Sequence, residues 1–327
     1  MNILVYKKSK NIEEDIIKAR PTLKMNTVRQ YVVLLERLQR LFKADYYDFL
    51  EDSDKLMEKI KDLHYLTQRN MLNAIIVLLM ALNHDKSYDV LLETYGKLRD
   101  GFNEKYDDEQ KTGVVSDKQA PNFATSEEIF DMLKKMKEQL KNVSNEPNKK
   151  EKQLLQAYTL FSIYSRMPMR NDVAGMRGIG KREYNKLTVE DKKDNNYLVV
   201  EKSKLFFVLN NYKTSRKYEE LNLEIEDKEL KRILRRYIKV NGMGILFKTS
   251  TGKPITRTEL SKILLKYSDS YMGKKISTTL LRKIYLSSKY GQDGGLKEQF
   301  EELEKDNKVM AHSKEVALNT YVKKAQN

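Results

Sequence analysis

His312 and Tyr321 stand nine positions apart in Met310-Ala-His-Ser-Lys-Glu-Val-Ala-Leu-Asn-Thr-Tyr, near the end of this 327-residue sequence. A positioned phenol is a nucleophile, and an imidazole beside it can handle a proton or a charged oxygen. The pair alone carries little, because 20 tyrosines in 327 residues put one at any chosen position about 6% of the time. Three cations upstream add to it. Arg282 lies in Ser277-Thr-Thr-Leu-Leu-Arg-Lys-Ile-Tyr, between Leu280, Leu281 and Ile284. Lys213 lies in Asn210-Asn-Tyr-Lys-Thr-Ser-Arg-Lys-Tyr, and Arg170 in Met167-Pro-Met-Arg-Asn-Asp-Val-Ala-Gly-Met, past an apolar helix and a proline. Breaking a phosphodiester with a tyrosine requires the phenol, donors for the charge developing on the non-bridging oxygens, and an acid for the leaving oxygen. A guanidinium fork suits the second task, so Arg170 and Arg282 read as a clamp. Each residue also has an ordinary reading. The arginines could be surface ion-pair partners, Lys213 a solubilising turn residue, His312 a structural histidine and Tyr321 a core tyrosine.

In the order Arg170, Lys213, Arg282, His312, Tyr321, the five residues resemble the catalytic set of the tyrosine recombinases, the phage integrase family. The resemblance covers residues 120–327 and the N-terminal third only in outline. It implies that Tyr321 forms a 3′-phosphotyrosine, that Arg170 and Arg282 hold the phosphate with His312 as a further donor, and that Lys213 protonates the leaving 5′ oxygen. It implies double-stranded DNA as partner, a homotetramer on paired DNA sites, and no metal, ATP or other cofactor.

Two positions depart from the family. A histidine usually stands three residues before the second arginine; here Thr279 does, so that contact is weakened or supplied by a hydroxyl. The acidic residue that commonly follows the first arginine by three is Asp172, which follows by two. Pro168-Met-Arg-Asn-Asp looks like the Pro-x-Arg-x-Asp pattern of integrases from large DNA viruses and their satellite elements. Two other functions compete: a type IB DNA topoisomerase, whose site looks similar, and a basic helical DNA-binding protein that has lost its chemistry.

The helix and strand patterns, with the resemblance, point to a mainly α protein, an N-terminal helical bundle followed by a mainly helical catalytic domain with a small three-stranded antiparallel sheet. The expected divisions are an arm over residues 1–20, a helical DNA-binding domain over 21–106, a linker over 107–122 and a catalytic domain over 123–327. Thr27 is placed to cap a first helix with Tyr31, Val32, Leu35, Leu38 and Phe42 on one side, while Arg29, Arg37, Arg40 and Lys43 offer DNA a basic side. The run from Thr67 to Leu82 is apolar enough for the centre of a bundle, and Ser87 to Leu98 completes it.

Thr125-Ser-Glu-Glu128 is a capping box opening the second domain, and Thr256 with Glu259 forms another. Pro168 should end the apolar helix from Leu154 to Met167. The runs at Tyr197, Leu205 and Tyr218 read as a three-stranded meander, placing Lys213 on the turn between its second and third strands, with Arg216 and Lys217 as neighbouring DNA contacts. Helices should follow over Asp227–Val240, Thr256–Tyr271 and Ser277–Tyr290, the last stopped by Gly291, with shorter pieces around Leu296–Leu303 and Val316–Lys324.

A net charge of +15, from 62 basic against 47 acidic residues, favours a polyanionic partner. The absence of cysteine excludes disulfides and thiolate metal sites, and three scattered histidines do not supply a zinc set. Met1-Asn-Ile-Leu-Val-Tyr-Lys-Lys lacks the apolar core of a signal peptide, and no run of ~18 apolar residues for a membrane span is expected. The expected setting is inside a cell with DNA, whether a nucleus, a virus factory or a bacterial cytoplasm.

Overall fold

The computed structural model describes residues 12–83, 86–111, 114–141, 147–215, 219–290 and 296–323. The chain divides into two compact units, Met1–Lys111 and Thr112–Asn327.

The first unit is helical: α1 (Ile12–Ala19), α2 (Met25–Phe42), a 3-10 turn at Asp48–Glu51, α3 (Ser53–Ile60), α4 (Tyr65–Leu82) and α5 (Asp89–Lys111). α4 is its axis, packed by α1, α2 and α5 and burying Met71, Leu72, Ile75, Leu78 and Leu79 completely. It is also long and apolar enough to cross a bilayer by length and composition, which corrects the expectation that no such run exists; here its apolar sides are filled by the other helices.

Part of the expected arm is helix α1, because Ile12 and Ile16 pack into the same core. α2 begins at Met25 after Lys24, ahead of Thr27, and ends where Lys43 turns left-handed at φ 52°. α5 continues through Asp107 to Lys111, into the segment expected to be a linker.

The second unit begins with α6 (Ser126–Gln139) and α7 (Lys149–Tyr164). The Thr125–Glu128 box opens α6 with reciprocal bonds of 2.9 and 3.2 Å, and Asn148 with Glu151 opens α7 in the same way. From Leu155 to Tyr164 every side chain of α7 is buried, so this helix is the core of the unit. Truncating Phe161 to alanine would cost about 3–5 kcal/mol. α7 ends at Tyr164, four residues before Pro168, with Ser165 closing it.

There follow β1 (Arg177–Gly180), α8 (Lys181–Asn185), α9 (Val189–Asp194), β2 (Tyr197–Val200), β3 (Leu205–Leu209), β4 (Leu221–Glu224), α10 (Lys228–Asn241) and β5 (Gly244–Ile245). The sheet has five strands in the order β4-β3-β2-β1-β5, not three. The expected meander is its β2-β3-β4 part, antiparallel with Tyr197 opposite Val208 and Phe206 opposite Glu224; Tyr218 lies outside the described residues. β1 runs parallel to β2, which the α8–α9 crossover permits, and β5 pairs antiparallel with β1. Arg-Gly-Ile-Gly has no apolar alternation and β5 is two residues long, so neither carries a strand signal of its own.

α11 (Arg257–Met272) starts at the Thr256–Glu259 box and stops at Gly273, whose φ of 64° favours glycine. Last come α12 (Thr278–Tyr290), α13 (Leu296–Met310), α14 (Lys314–Val316) and a π turn over Ala317–Tyr321. Gly291 and Lys324 lie outside the described residues, and α13 runs seven residues past Leu303.

Candidate active site

Arg170 follows the buried end of α7 on a short turn tied down at several points. The fully buried Tyr164 donates its hydroxyl to the Arg170 carbonyl at 2.9 Å. Asn196 donates to the Asp172 carbonyl at 2.9 Å, and Arg257, at the start of α11, donates to the buried Asp172 carboxylate at 2.9 Å. Asp172, displaced by one position from the family pattern, therefore fixes the turn's backbone, and Arg257 is a partner that sequence reasoning missed.

His312 is placed by the end of α13. Its backbone N–H bonds the Asn307 carbonyl at 3.0 Å and that of Ala311 bonds Lys308 at 3.3 Å, a Schellman closure with Ala311 left-handed at φ 51°. An alanine in that conformation costs roughly 1–2 kcal/mol. Tyr321 ends the π turn, where the Val322 N–H reaches the Ala317 carbonyl at 3.2 Å, and its ring packs with Leu286, Leu303 and Met310.

These elements bring four of the five residues into direct contact. The Tyr321 hydroxyl is 3.1 Å from His312 Nε2. Arg170 Nη2 is 2.9 and 3.1 Å from the two ring nitrogens of His312. One atom that near to both cannot lie along the in-plane lone pair of either, so the guanidinium packs on the ring face and its fork is not used up. The Arg282 guanidinium lies 4.7 Å from the centre of the Tyr321 ring.

Lys213, exposed on the turn after β3, is close enough for its charge to act on His312. The residue that docks this turn is Thr214, another that the sequence did not announce. Its hydroxyl donates to the Ala311 carbonyl at 3.3 Å and stands 3.5 Å from Arg170 Nη1.

Burial, aided by the charges of Arg170, Arg282 and Lys213, pushes the His312 imidazole down to about 4, so the ring is neutral at pH 7. It can share or accept the Tyr321 proton, or donate to an oxyanion. Arg282 is 7% exposed, and among the described residues its Nε and Nη1 have no hydrogen-bond partner, while Nη2 reaches Thr279 Oγ1 at 3.5 Å. Burial lowers its affinity for its proton, yet a guanidinium stays charged in proteins. A buried cation with two idle donors is costly and calls for an anion.

Tyr285 and Tyr290 lie close by, but their surroundings differ. Burial and the carboxylate of Asp306 raise both phenols, and Tyr290 donates to that carboxylate at 2.6 Å. The Tyr321 ring instead has the Arg282 guanidinium over it. Thr279 is exposed one turn before Arg282. Among the described residues, no three His, Cys, Asp or Glu side chains group closely enough to share a metal ion.

In the first unit Arg29, Arg40 and Lys43 are exposed and Arg37 is half-buried, away from the buried Val28, Leu35 and Leu38; Arg40 is 3.8 Å from Glu36. Arg216 and Lys217 lie outside the described residues.

No protein-family model matches the chain, and no curated protein matches it. Among solved structures it is similar to XerA recombinase, with 10% identity and a TM-score of 0.38 over 95% of this chain and 93% of that one. It is also similar to XerH site-specific recombinase bound to its difH substrate in a pre-cleavage complex, with 12% identity and a TM-score of 0.42 over 95% and 91% of the two chains.

Proposed function

We propose that this chain is a DNA strand-breaking and rejoining enzyme of the tyrosine recombinase kind, with residues 21–106 as a helical DNA-binding part and 123–327 as the catalytic part. The observation that carries this reading is the Tyr321 hydroxyl, 3.1 Å from a neutral imidazole that Arg170 also contacts, with the guanidinium of Arg282 over the Tyr321 ring and two of that guanidinium's buried donors unpaired among the described residues. A phosphodiester supplies the missing anion. Its non-bridging oxygens take the Arg282 Nε and Nη1 donors and the Arg170 fork, which stabilise the charge that grows as Tyr321 Oη attacks phosphorus and passes its proton to His312 Nε2. The 5′ oxygen leaves with a proton from Lys213, and a 3′-phosphotyrosine remains. A second 5′ hydroxyl reverses the step, so the link conserves the energy and no nucleotide is consumed.

On this reading the partner is double-stranded DNA, the working form is a homotetramer on paired sites, and the setting is wherever the chain's DNA resides, with a viral or mobile element as its source. The type IB topoisomerase alternative uses the same chemistry as a monomer. A nicked suicide substrate that loses the 5′ hydroxyl needed for rejoining tests the reading. Accumulation of a covalent protein–DNA adduct supports it; DNA binding without any adduct leaves a chain that binds but does not cut.

A further inference from the structure

The second unit carries a cavity of about 740 Å³ away from this cluster, between the start of α7, the end of α10, the turn after β5 and the middle of α11. Five lysines line it, Lys149, Lys152, Lys248, Lys262 and Lys266, against one carboxylate, Glu259. That carboxylate is committed. It accepts the Thr256 N–H at 2.7 Å, and this bond, with the Lys262 charge, holds it below the usual carboxylate range.

Among the described residues none of the five lysines has an ion-pair partner; Lys248 Nζ reaches only the Asn241 carbonyl, at 3.3 Å. Elsewhere in the same unit lysines do pair, as Lys137 does with Glu229 and Lys274 with Glu128. Like charges gathered around a concavity with low-dielectric walls focus their field into it, and Ile255 and Ile263 supply such walls.

We infer that this cavity is a second phosphate-binding site, separate from the one around Tyr321. Ammonium groups are point-charge partners for phosphate oxygens, and the Ser250 side chain at the cavity adds a hydroxyl donor. An acidic peptide, whose carboxylates ammonium groups also pair with, is the competing ligand that poly-glutamate represents in the test. The phosphates come either from nucleic acid or from a soluble polyphosphate, and only the nucleic-acid source rests on the strand-transfer reading. Lys152 and Tyr164 are twelve residues apart on α7, about 18 Å at 1.5 Å per residue. Arg170 follows the far end of that helix, so the cavity and the Tyr321 cluster are set apart within the second unit.

The test is lysine acetylation footprinting of the unmodified full chain by mass spectrometry, alone and with a random-sequence duplex, tripolyphosphate or poly-glutamate. The exposed Lys134 and Lys135 of α6, outside the cavity, are the internal reference. Several-fold slower acetylation of Lys152, Lys262 and Lys266 relative to the reference, with duplex or tripolyphosphate, supports the site. Protection by duplex identifies backbone phosphates as the source, and protection by tripolyphosphate alone identifies a soluble anion. No protection by either, or equal protection by poly-glutamate, overturns it. The suicide-substrate adduct does not depend on this cavity, so failure of one reading leaves the other standing.

Discussion

His312 should remain neutral well below the pH at which an exposed histidine takes up its proton. The ring's ordinary value is 6.5, and burial among Arg170, Arg282 and Lys213 lowers it to about 4. Such a lowering, discounted for the ring's partial exposure, is on the order of 1 to a few kcal/mol. The unfolded chain takes up this proton below about pH 6.5 and the folded chain only near pH 4, so acidification favours unfolding through that window. The resulting loss begins below about pH 6.5 and grows to about 1 to a few kcal/mol as pH falls toward about 4.

Urea melts of the unmodified chain and of His312→Gln, at pH 7.5, 5.5 and 4.5, isolate this contribution, because glutamine keeps a polar side chain but does not titrate there. The difference between the two chains should shrink as pH falls. The chain has only three histidines, so the imidazole resonance missing from the variant's NMR spectrum identifies His312 directly. Titration of that resonance near 6.5, with parallel pH dependence in the two chains, would refute the buried, cation-surrounded ring. Arg170→Gln should move the titration upward by removing one of those cations.

Three further outcomes are expected. Arg282→Lys keeps the charge but loses the Nε and Nη1 geometry, so cleavage should slow by ~10²-fold or more; an unchanged single-turnover rate would remove Arg282 from the clamp. Lys213→Ala should cleave ordinary DNA ~10² to 10⁴-fold more slowly yet cleave a 5′-phosphorothiolate at close to the unmodified rate, because a sulfur leaves without a proton; equal defects on both substrates would show that the lysine is not the acid. Neutralising Arg37 and Arg40 on α2 should make the log–log dependence of DNA affinity on salt shallower by about 0.9 for each phosphate that is no longer neutralised, and an unchanged slope would take that face off the DNA.

What could be read from the sequence is what local chemistry encodes. The Thr125–Glu128 and Thr256–Glu259 boxes, the apolar run of α4 and the β2-β3-β4 meander each announce themselves within a few residues. β1 and β5 do not, because their pairing is decided by partners about 20 and about 67 residues away rather than by their own side chains. α1 reads as an arm because a charged lead hides Ile12 and Ile16, whose burial depends on α4.

At the candidate site, the five residues were legible only as an ordered set matching a family, since each one alone has an ordinary reading. Thr214, Arg257 and the lysine-lined cavity were not legible. Thr214 and Arg257 owe their places to Ala311 and Asp172, far along the chain. The cavity gathers lysines from Lys149 to Lys266 that, in sequence, are ordinary solvent positions.

Mapping the trapped adduct identifies the nucleophile. Digestion of the adduct followed by mass spectrometry should place the phosphonucleotide on Tyr321, and Tyr321→Phe should bind DNA while forming no adduct. Phosphonucleotide on Tyr285 or Tyr290, or an adduct persisting in Tyr321→Phe, would contradict the account.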